Sequence, residues 1–224
     1  MKHTLFHNAN YVMGVLGLIL GVGMYGINQA IQSGLIAIPN SIVWICFTTI
    51  LVFSGLINGK MISILHQWAY RDSLTGTWNR KYFNYRIKKE IQGKQKNKHS
   101  LCLALVDMDN FKQVNDKYGH SVGDEVIKQV ANILLTNVRY TDSVIRLGGD
   151  EFAIIFPETE MRKARMISER ICNMVDKHCE YVTISVGVVE ITSHTNASEI
   201  IAFADSVLYK AKLSKNSVIT MVAG

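Results

Sequence analysis

Seven residues, Arg146-Leu147-Gly148-Gly149-Asp150-Glu151-Phe152, restrict this chain more than any other stretch. Val144 and Ile145 precede them and Phe152-Ala153-Ile154-Ile155-Phe156 follows, so strand-forming residues stand on both sides of a glycine pair. Glycine adopts turn dihedrals closed to other residues and lets the backbone come close to an anionic group, so the run reads as a β-hairpin. The adjacent carboxylates Asp150 and Glu151 suit a hard cation such as Mg²⁺, which in turn holds phosphate oxygens. Gly-Gly-Asp alone is more often an ordinary polar hairpin. A second acidic strand end upstream tips the balance.

That strand end is Leu101-Cys102-Leu103-Ala104-Leu105-Val106-Asp107-Met108-Asp109. An apolar run of this length reads as a buried central strand. It stops in carboxylates, so Asp107 emerges where the strand leaves the core. A carboxylate from the hairpin beside it would complete a two-site metal cage. Two-metal phosphoryl or nucleotidyl transfer needs that arrangement, because the ions clamp the attacking and leaving oxygens.

Between Thr4 and Gly59 the chain has no Lys, Arg, Asp or Glu. Two apolar stretches, about Tyr11–Ile27 and Ser41–Ile57, approach the roughly 20 residues that cross a bilayer. They read as a transmembrane helical hairpin within residues 1–59, and a cleaved signal peptide fits less well. Lys2, Lys60 and Arg71 flank the pair, which by the positive-inside rule puts both ends in the cytoplasm. The expected location is therefore the cytoplasmic membrane, with the lipid bilayer as a partner. Gly17 and Gly21 form a G-x-x-x-G pair on the first stretch, a spacing that permits close helix approach in lipid. Residues 60–71 read as a stalk helix, and 72–224 as the catalytic domain.

The formal charge is +6, and much of it lies in one run: Arg80, Lys81, Arg86, Lys88, Lys89, Lys94, Lys96 and Lys98, broken only by Glu90. No groove-reading or aromatic-interleaved pattern accompanies it, so a solvated helix and loop is the better reading and nucleic acid is not expected as a partner. Cys46, Cys102, Cys172 and Cys179 have no zinc spacing, and a cytoplasmic domain would keep them reduced.

Past Asp72 the periodicity predicts a helix carrying Tyr82, Phe83, Ile87 and Ile91, then a polar loop over 93–100 and the strand at 101–107. A short helix to Tyr118 follows, then a helix over about 122–138, the hairpin, and a helix over about 160–175. A strand over 182–189, a helix over 198–212 with Ser198 as N-cap, and a strand over 218–222 complete the pattern. Mixed helices and strands with a hairpin indicate an α+β sheet covered by helices.

Several spaced motifs together resemble the GGDEF-domain diguanylate cyclases. Asp72-Ser73-Leu74-Thr75-Gly76-Thr77-Trp78-Asn79-Arg80 is similar to the family's opening D-x-L-T-G-L-x-N-R, with Thr77 in place of Leu. Asp107-Met108-Asp109-Asn110-Phe111-Lys112-Gln113-Val114-Asn115-Asp116 matches D-x-D-x-F-K-x-x-N-D, and Tyr118-Gly119-His120-Ser121-Val122-Gly123-Asp124 resembles F-G-H-x-x-G-D. Gly148–Phe152 is the signature, and Thr183-Ile184-Ser185-Val186-Gly187 resembles a later strand motif. The resemblance covers about Ala69 to Val218 and implies the family's nucleotidyl-cyclase, polymerase-palm-like sheet.

It also implies condensation of two GTP into cyclic di-GMP with release of two pyrophosphates, by two domains facing each other in a homodimer. By resemblance, Asp107, the Met108 carbonyl, Asp150 and Glu151 would bind two Mg²⁺ or Mn²⁺ ions. Asp150 and Glu151 would be catalytic, with Glu151 helping to activate the ribose 3′-hydroxyl. Asn115 and Asp124 would read guanine, since a carboxylate accepts from the N1–H and N2–H₂ donors. Phe111, Gly148 and Gly149 would line the substrate, and Lys112 and Lys212 would neutralise phosphate. The closing A-K-x-x-G-R-N is shortened to Ala211-Lys212-Leu213-Ser214-Lys215-Asn216, which leaves Lys215 where Arg would stand; Lys cannot grip phosphate bidentately. Arg139-Tyr140-Thr141-Asp142 sits at the family's spacing for an R-x-x-D product-inhibition site, with Arg170 as a further contact. The alternatives are a catalytically silent cyclic di-GMP receptor and a membrane scaffold.

Overall fold

The computed structural model describes residues 20–34, 39–97, 99–191 and 196–223. The chain divides into two units, Met1–Ile64 and Leu65–Gly224.

In the first unit, residues 20–32 are helical (α1), and α2 runs over Asn40–Tyr70, its last residues belonging to the second unit. Thr48 and Thr49 fold their hydroxyls back onto the carbonyls of Trp44 and Ile45, which satisfies both within α2. Among the described residues no helix is long and apolar enough to cross a membrane. That corrects the expected transmembrane hairpin, and with it the assignment to the cytoplasmic membrane and the bilayer as partner. The first expected span, about Tyr11–Ile27, lies largely outside the described residues. The second, Ser41–Ile57, is the opening part of one 31-residue helix. Its apolar sequence is interrupted by Thr48, Thr49 and Ser54 and gives way at Asn58-Gly59-Lys60, from where the helix runs on to Tyr70 along the segment read as a stalk.

The second unit is built on a six-stranded mixed sheet in the order β1-β3-β4-β2-β5-β6. Its elements are β1 (Trp78–Asn79), α3 (Arg80–Asn97), β2 (Leu101–Met108), α4 (Phe111–Tyr118), α5 (His120–Thr136), β3 (Ser143–Gly148), β4 (Glu151–Pro157), α6 (Met161–His178), β5 (Ile184–Ile191), α7 (Ala197–Ser214) and β6 (Val218–Ala223). The α+β class is as expected. The central strand β2 pairs antiparallel with β4 and β5 and is buried along its whole length. Its alternate residues feed two cores: Cys102, Ala104, Val106 and Met108 pack under α4, α5 and α6, while Leu101, Leu103 and Leu105 pack under α3 and α7. By the same alternation Asp107 falls on the α3/α7 side.

Two local readings are corrected, and one strand is added. The polar segment 93–100 is not all loop, because α3 continues through Asn97. Asn196, not Ser198, caps α7: its side chain accepts from the Ser198 N–H, and Glu199 returns a bond to the Asn196 N–H in a capping box. The two-residue strand β1, too short to show as a pattern, pairs parallel with β3. On the α7 side, a β-carbon at Gly187 of β5 would lie 2.7 Å from Leu208 Cα, so a bare backbone lets α7 seat directly on the sheet.

Candidate active site

The carboxylates meet through strand pairing. Asp107, near the end of β2, lies directly opposite Glu151, the first residue of β4, and on its other side opposite Ser185 of β5. Asp150 occupies the turn between β3 and β4, where Gly148 pairs with Glu151 across two residues. Gly149 has φ +54, in the region that favours glycine, so the turn requires it. Asp107 is buried, whereas Glu151 is exposed.

Burial pushes the Asp107 carboxyl above its usual range. The Lys212 hydrogen bond and charge pull it back, and the charges of Asp150 and Glu151 push it up again. The ammonium of Lys212, in the last turn of α7, stands 2.6 Å from Asp107 Oδ2. Among the described residues no three of His, Cys, Asp and Glu converge into a group placed to hold a metal ion.

The hairpin is held by a residue to which the sequence reading gave no role. Arg146 donates from Nε and Nη2 to the Gly149 carbonyl, at 2.9 and 2.8 Å, and from Nη1 to Asp72 Oδ1 at 3.1 Å. Asp72 also accepts from the N–H and the hydroxyl of Thr75. Burial alone would raise the Asp72 carboxyl, but the Thr75 hydrogen bonds and the Arg146 contact outweigh it and hold it below its ordinary value. Arg146 stands two residues before the Gly148–Phe152 signature, and its two partners are set by folding. Thr77, in place of the family's Leu, is fully buried with its hydroxyl between Thr75 Oγ1 and the Trp78 carbonyl, so the polar group is satisfied.

Asp109, also without an assigned role, is a structural hub. Its carboxylate accepts from Thr183 Oγ1 and Ser185 Oγ at 2.7 Å each and from the Asn216 N–H at 2.9 Å. The last of these ties the end of α7 to the end of β2. Lys215 caps α7 with φ +51, and its Nζ donates to Asn110 Oδ1 at 3.1 Å. Its positive φ, which glycine favours, turns the chain out of the helix at the position where the family's arginine is expected.

The expected base readers lie on the other face of the sheet. Asn115 of α4 is half-buried and Asp124 of α5 is exposed. A β-carbon at Gly123 would overlap Asn115 Oδ1, so the glycine makes the space in which that amide lies. Phe111 is buried in the core on this side, and Lys112 is exposed. Beside Glu151, between α3, α7 and the sheet, is a cavity of about 350 Å³ with Arg80, Asn84 and Asp205 among its lining residues, none of them anticipated from the sequence.

Arg139 and Asp142 close a turn after α5. Asp142 Oδ2 accepts the Arg139 N–H at 2.8 Å, while its Oδ1 is buried without a hydrogen-bond partner. Burial raises the Asp142 carboxyl, against the opposing pull of Arg139. Arg170 of α6 reaches this turn by donating to the Asn137 carbonyl at 2.6 Å.

A family profile, "Diguanylate cyclase, GGDEF domain", matches residues 69–217. The diguanylate cyclase DgcS of Shewanella oneidensis is 34% identical over 168 residues, which cover 73% of this chain and 56% of that protein. The probable diguanylate cyclase DgcT of Escherichia coli is 38% identical over 162 residues, 67% of this chain and 35% of that one. The chain thus spans about half of the first relative's length and a third of the second's. Among solved structures, the GGDEF domain of DgcB from Caulobacter crescentus in complex with c-di-GMP aligns with TM-score 0.65 and 29% identity, covering 68% of this chain and 93% of that one. Diguanylate cyclase SiaD of Pseudomonas aeruginosa, in complex with its activator SiaC, aligns with TM-score 0.68 and 26% identity over 98% of this chain and 88% of that one. The profile takes in both the Asp107 strand end and the Gly148–Phe152 hairpin, and this chain belongs to the GGDEF-domain diguanylate cyclase family.

Proposed function

We propose that the chain condenses two molecules of GTP into cyclic di-GMP and releases two pyrophosphates. The observation that carries the reading is the cross-strand pairing of Asp107 with Glu151 beside Asp150 in the Gly149–Asp150 turn. A relative named as a diguanylate cyclase and another named as a probable one support it.

The donor set fits Mg²⁺ or Mn²⁺: the oxygens are hard carboxylates, and an ammonium already stands as a cation at Asp107 Oδ2. Asp107, the Met108 carbonyl, Asp150 and Glu151 would hold two such ions, which would neutralise the triphosphate and polarise its reacting phosphorus. Glu151, exposed at the strand end, would accept the proton of the attacking 3′-hydroxyl at its carboxylate. The Gly149 backbone, fixed by Arg146, leaves the turn open to a phosphate group. Lys112 and Lys212 supply positive charge for the triphosphate. Asn115 and Asp124 would read the guanine edge.

Each domain holds one GTP in this reading, so catalysis takes place in a homodimer. Product inhibition belongs to the same proposal. Arg139 is exposed in the turn that Asp142 closes, and Arg170 reaches the same turn, so two guanidinium groups stand there to take phosphate or guanine. The c-di-GMP complex of the Caulobacter domain supports product binding by this fold.

The test is incubation of the purified chain with GTP and Mg²⁺, with the product read by mass spectrometry. A mass and fragmentation pattern of cyclic di-GMP is expected. Binding of cyclic di-GMP with no turnover of GTP would establish a receptor instead.

A further inference from the structure

We infer that the Lys212 ammonium is a built-in stand-in for a divalent cation: it holds Asp107 until a metal ion replaces it, and on release it turns to the nucleotide's phosphates. The inference rests on the nucleotidyl-transfer reading above and names the order of events at that site.

The two partners of the ion pair differ in freedom. The Asp107 side chain is 7% exposed, the Lys212 side chain 42%, and they meet at 2.6 Å. The carboxylate is fixed in the protein, while the ammonium lies at its open side on a four-carbon stem. Lys212 can therefore swing away, and Asp107 cannot.

The helix that carries Lys212 is anchored independently of this pair. Lys215 Nζ donates to Asn110 Oδ1, the Asn216 N–H donates to Asp109 Oδ2, and Ser217 Oγ donates to the Ala211 carbonyl. Releasing Lys212 from Asp107 leaves those contacts in place, so the side chain moves and α7 stays.

The charge balance favours exchange. Asp107, Asp150 and Glu151 all act on one site, and Lys212 is the cation that acts on Asp107 with them. One ammonium against three carboxylates under-neutralises the cluster, and a divalent ion would neutralise it further. A metal ion held by Asp107 would compete with the ammonium for that carboxylate. A metal binding alone must send Lys212 into water. A metal arriving with a triphosphate gives the released ammonium a new partner at once. Metal and nucleotide therefore strengthen each other's binding, and by linkage the coupling is equal in both directions.

The experiment uses the full chain, with Mn²⁺ as the probe and without nucleotide, by calorimetry and by the electron-spin signal of free Mn²⁺. Lys212→Met and Lys212→Gln should each bind Mn²⁺ at least fivefold more tightly than the unaltered chain. Both should lose most of the enhancement that a non-hydrolysable GTP analogue gives the unaltered chain. In a ¹⁵N-lysine spectrum of the unaltered chain, the Lys212 Nζ resonance should shift as Mg²⁺ is added. Unchanged or weaker Mn²⁺ affinity in folded variants, or a Lys212 resonance that stays put at saturating Mg²⁺, overturns the inference. If the unaltered chain still makes cyclic di-GMP in that case, the proposed activity stands. Absence of Mn²⁺ binding in every protein overturns both this inference and the metal assignment.

Discussion

Arg146 and Asp72 are 74 residues apart in sequence and joined by a 3.1 Å ion pair, with side chains only 13% and 22% exposed. The same guanidinium holds the Gly149 carbonyl twice, so one side chain ties the signature turn to the start of the domain. Arg146→Ala should lower turnover at least tenfold and reduce the melting temperature by several degrees, since losing a partly buried charge pair costs about 1–3 kcal/mol. Arg146→Lys should recover much of the stability and little of the activity, because an ammonium reaches Asp72 without forking onto Gly149. Equal activity of the Lys and Arg forms would show that the fork is not needed.

Asp150→Ala and Glu151→Gln should each lower cyclic di-GMP synthesis more than about a thousandfold, the loss typical when a reaction's main charge-stabilising or proton-accepting group is removed. Asp150 is in the turn and Glu151 is exposed, so circular dichroism and melting temperature should barely change. Near-normal turnover in either folded variant would sink the carboxylate assignment.

The strands that build the site were legible in the sequence, and the contacts that complete it were not. The apolar run into Asp107 and the glycine pair before Asp150 state their own geometry through period and turn chemistry. The pairing of Asp107 with Glu151 and the arrival of Lys212 at Asp107 depend on strand order and helix seating, which no local pattern encodes. Lys215 was read by its place in a motif, while its φ of +51 follows from how the shortened segment turns back toward β6. The membrane expectation rested on the apolar, chargeless stretches Tyr11–Ile27 and Ser41–Ile57; among the described residues no helix is long and apolar enough to cross a membrane, and α2 runs on to Tyr70 along the segment read as a stalk helix.

Two carboxylates should give opposite pH dependences of stability. The Asp72 carboxyl is held below its model-peptide value of 3.8, so its stabilisation is present above that pH and lost as pH falls through the lowered value. The Asp142 carboxyl is raised above 3.8, so its contribution is present below that pH and lost as pH rises through the raised value. In melts between about pH 2.5 and 7, the deficit of Asp72→Asn should shrink toward acid. Asp142→Asn should gain on the unaltered chain as pH rises. Parallel curves for the two variants would contradict the assigned directions.

Arg139→Ala should weaken inhibition by added cyclic di-GMP at least tenfold while leaving initial turnover within about twofold, the tenfold loss corresponding to roughly 1.4 kcal/mol of binding. Arg139 is exposed in the turn after α5, away from the β2 and β4 strand ends, which is why the two activities should separate. An unchanged inhibition curve would show that the Arg139–Asp142 turn is structural only.

Gly123→Ala isolates base recognition from the rest of the site. Alanine is the better helix former by about 1 kcal/mol, and Gly123 lies inside α5, so helix propensity favours the change. Its β-carbon would overlap Asn115 Oδ1 and stand 3.1 Å from the ring edge of Phe111, so the Asn115 amide must swing out. Asp124, the next residue, would still accept from guanine N1–H and N2–H₂. KM for GTP should therefore rise about tenfold, with kcat reduced far less and the melting temperature within a few degrees of the unaltered chain. The preference for GTP over ATP should narrow without vanishing, because adenine still offers Asp124 no N1–H and leaves that carboxylate without its donor. Asn115→Ala should reproduce the KM change, and combining it with Gly123→Ala should add little, since both remove one contact. Additive effects in that double variant would show that Gly123 acts on the nucleotide by some route other than Asn115.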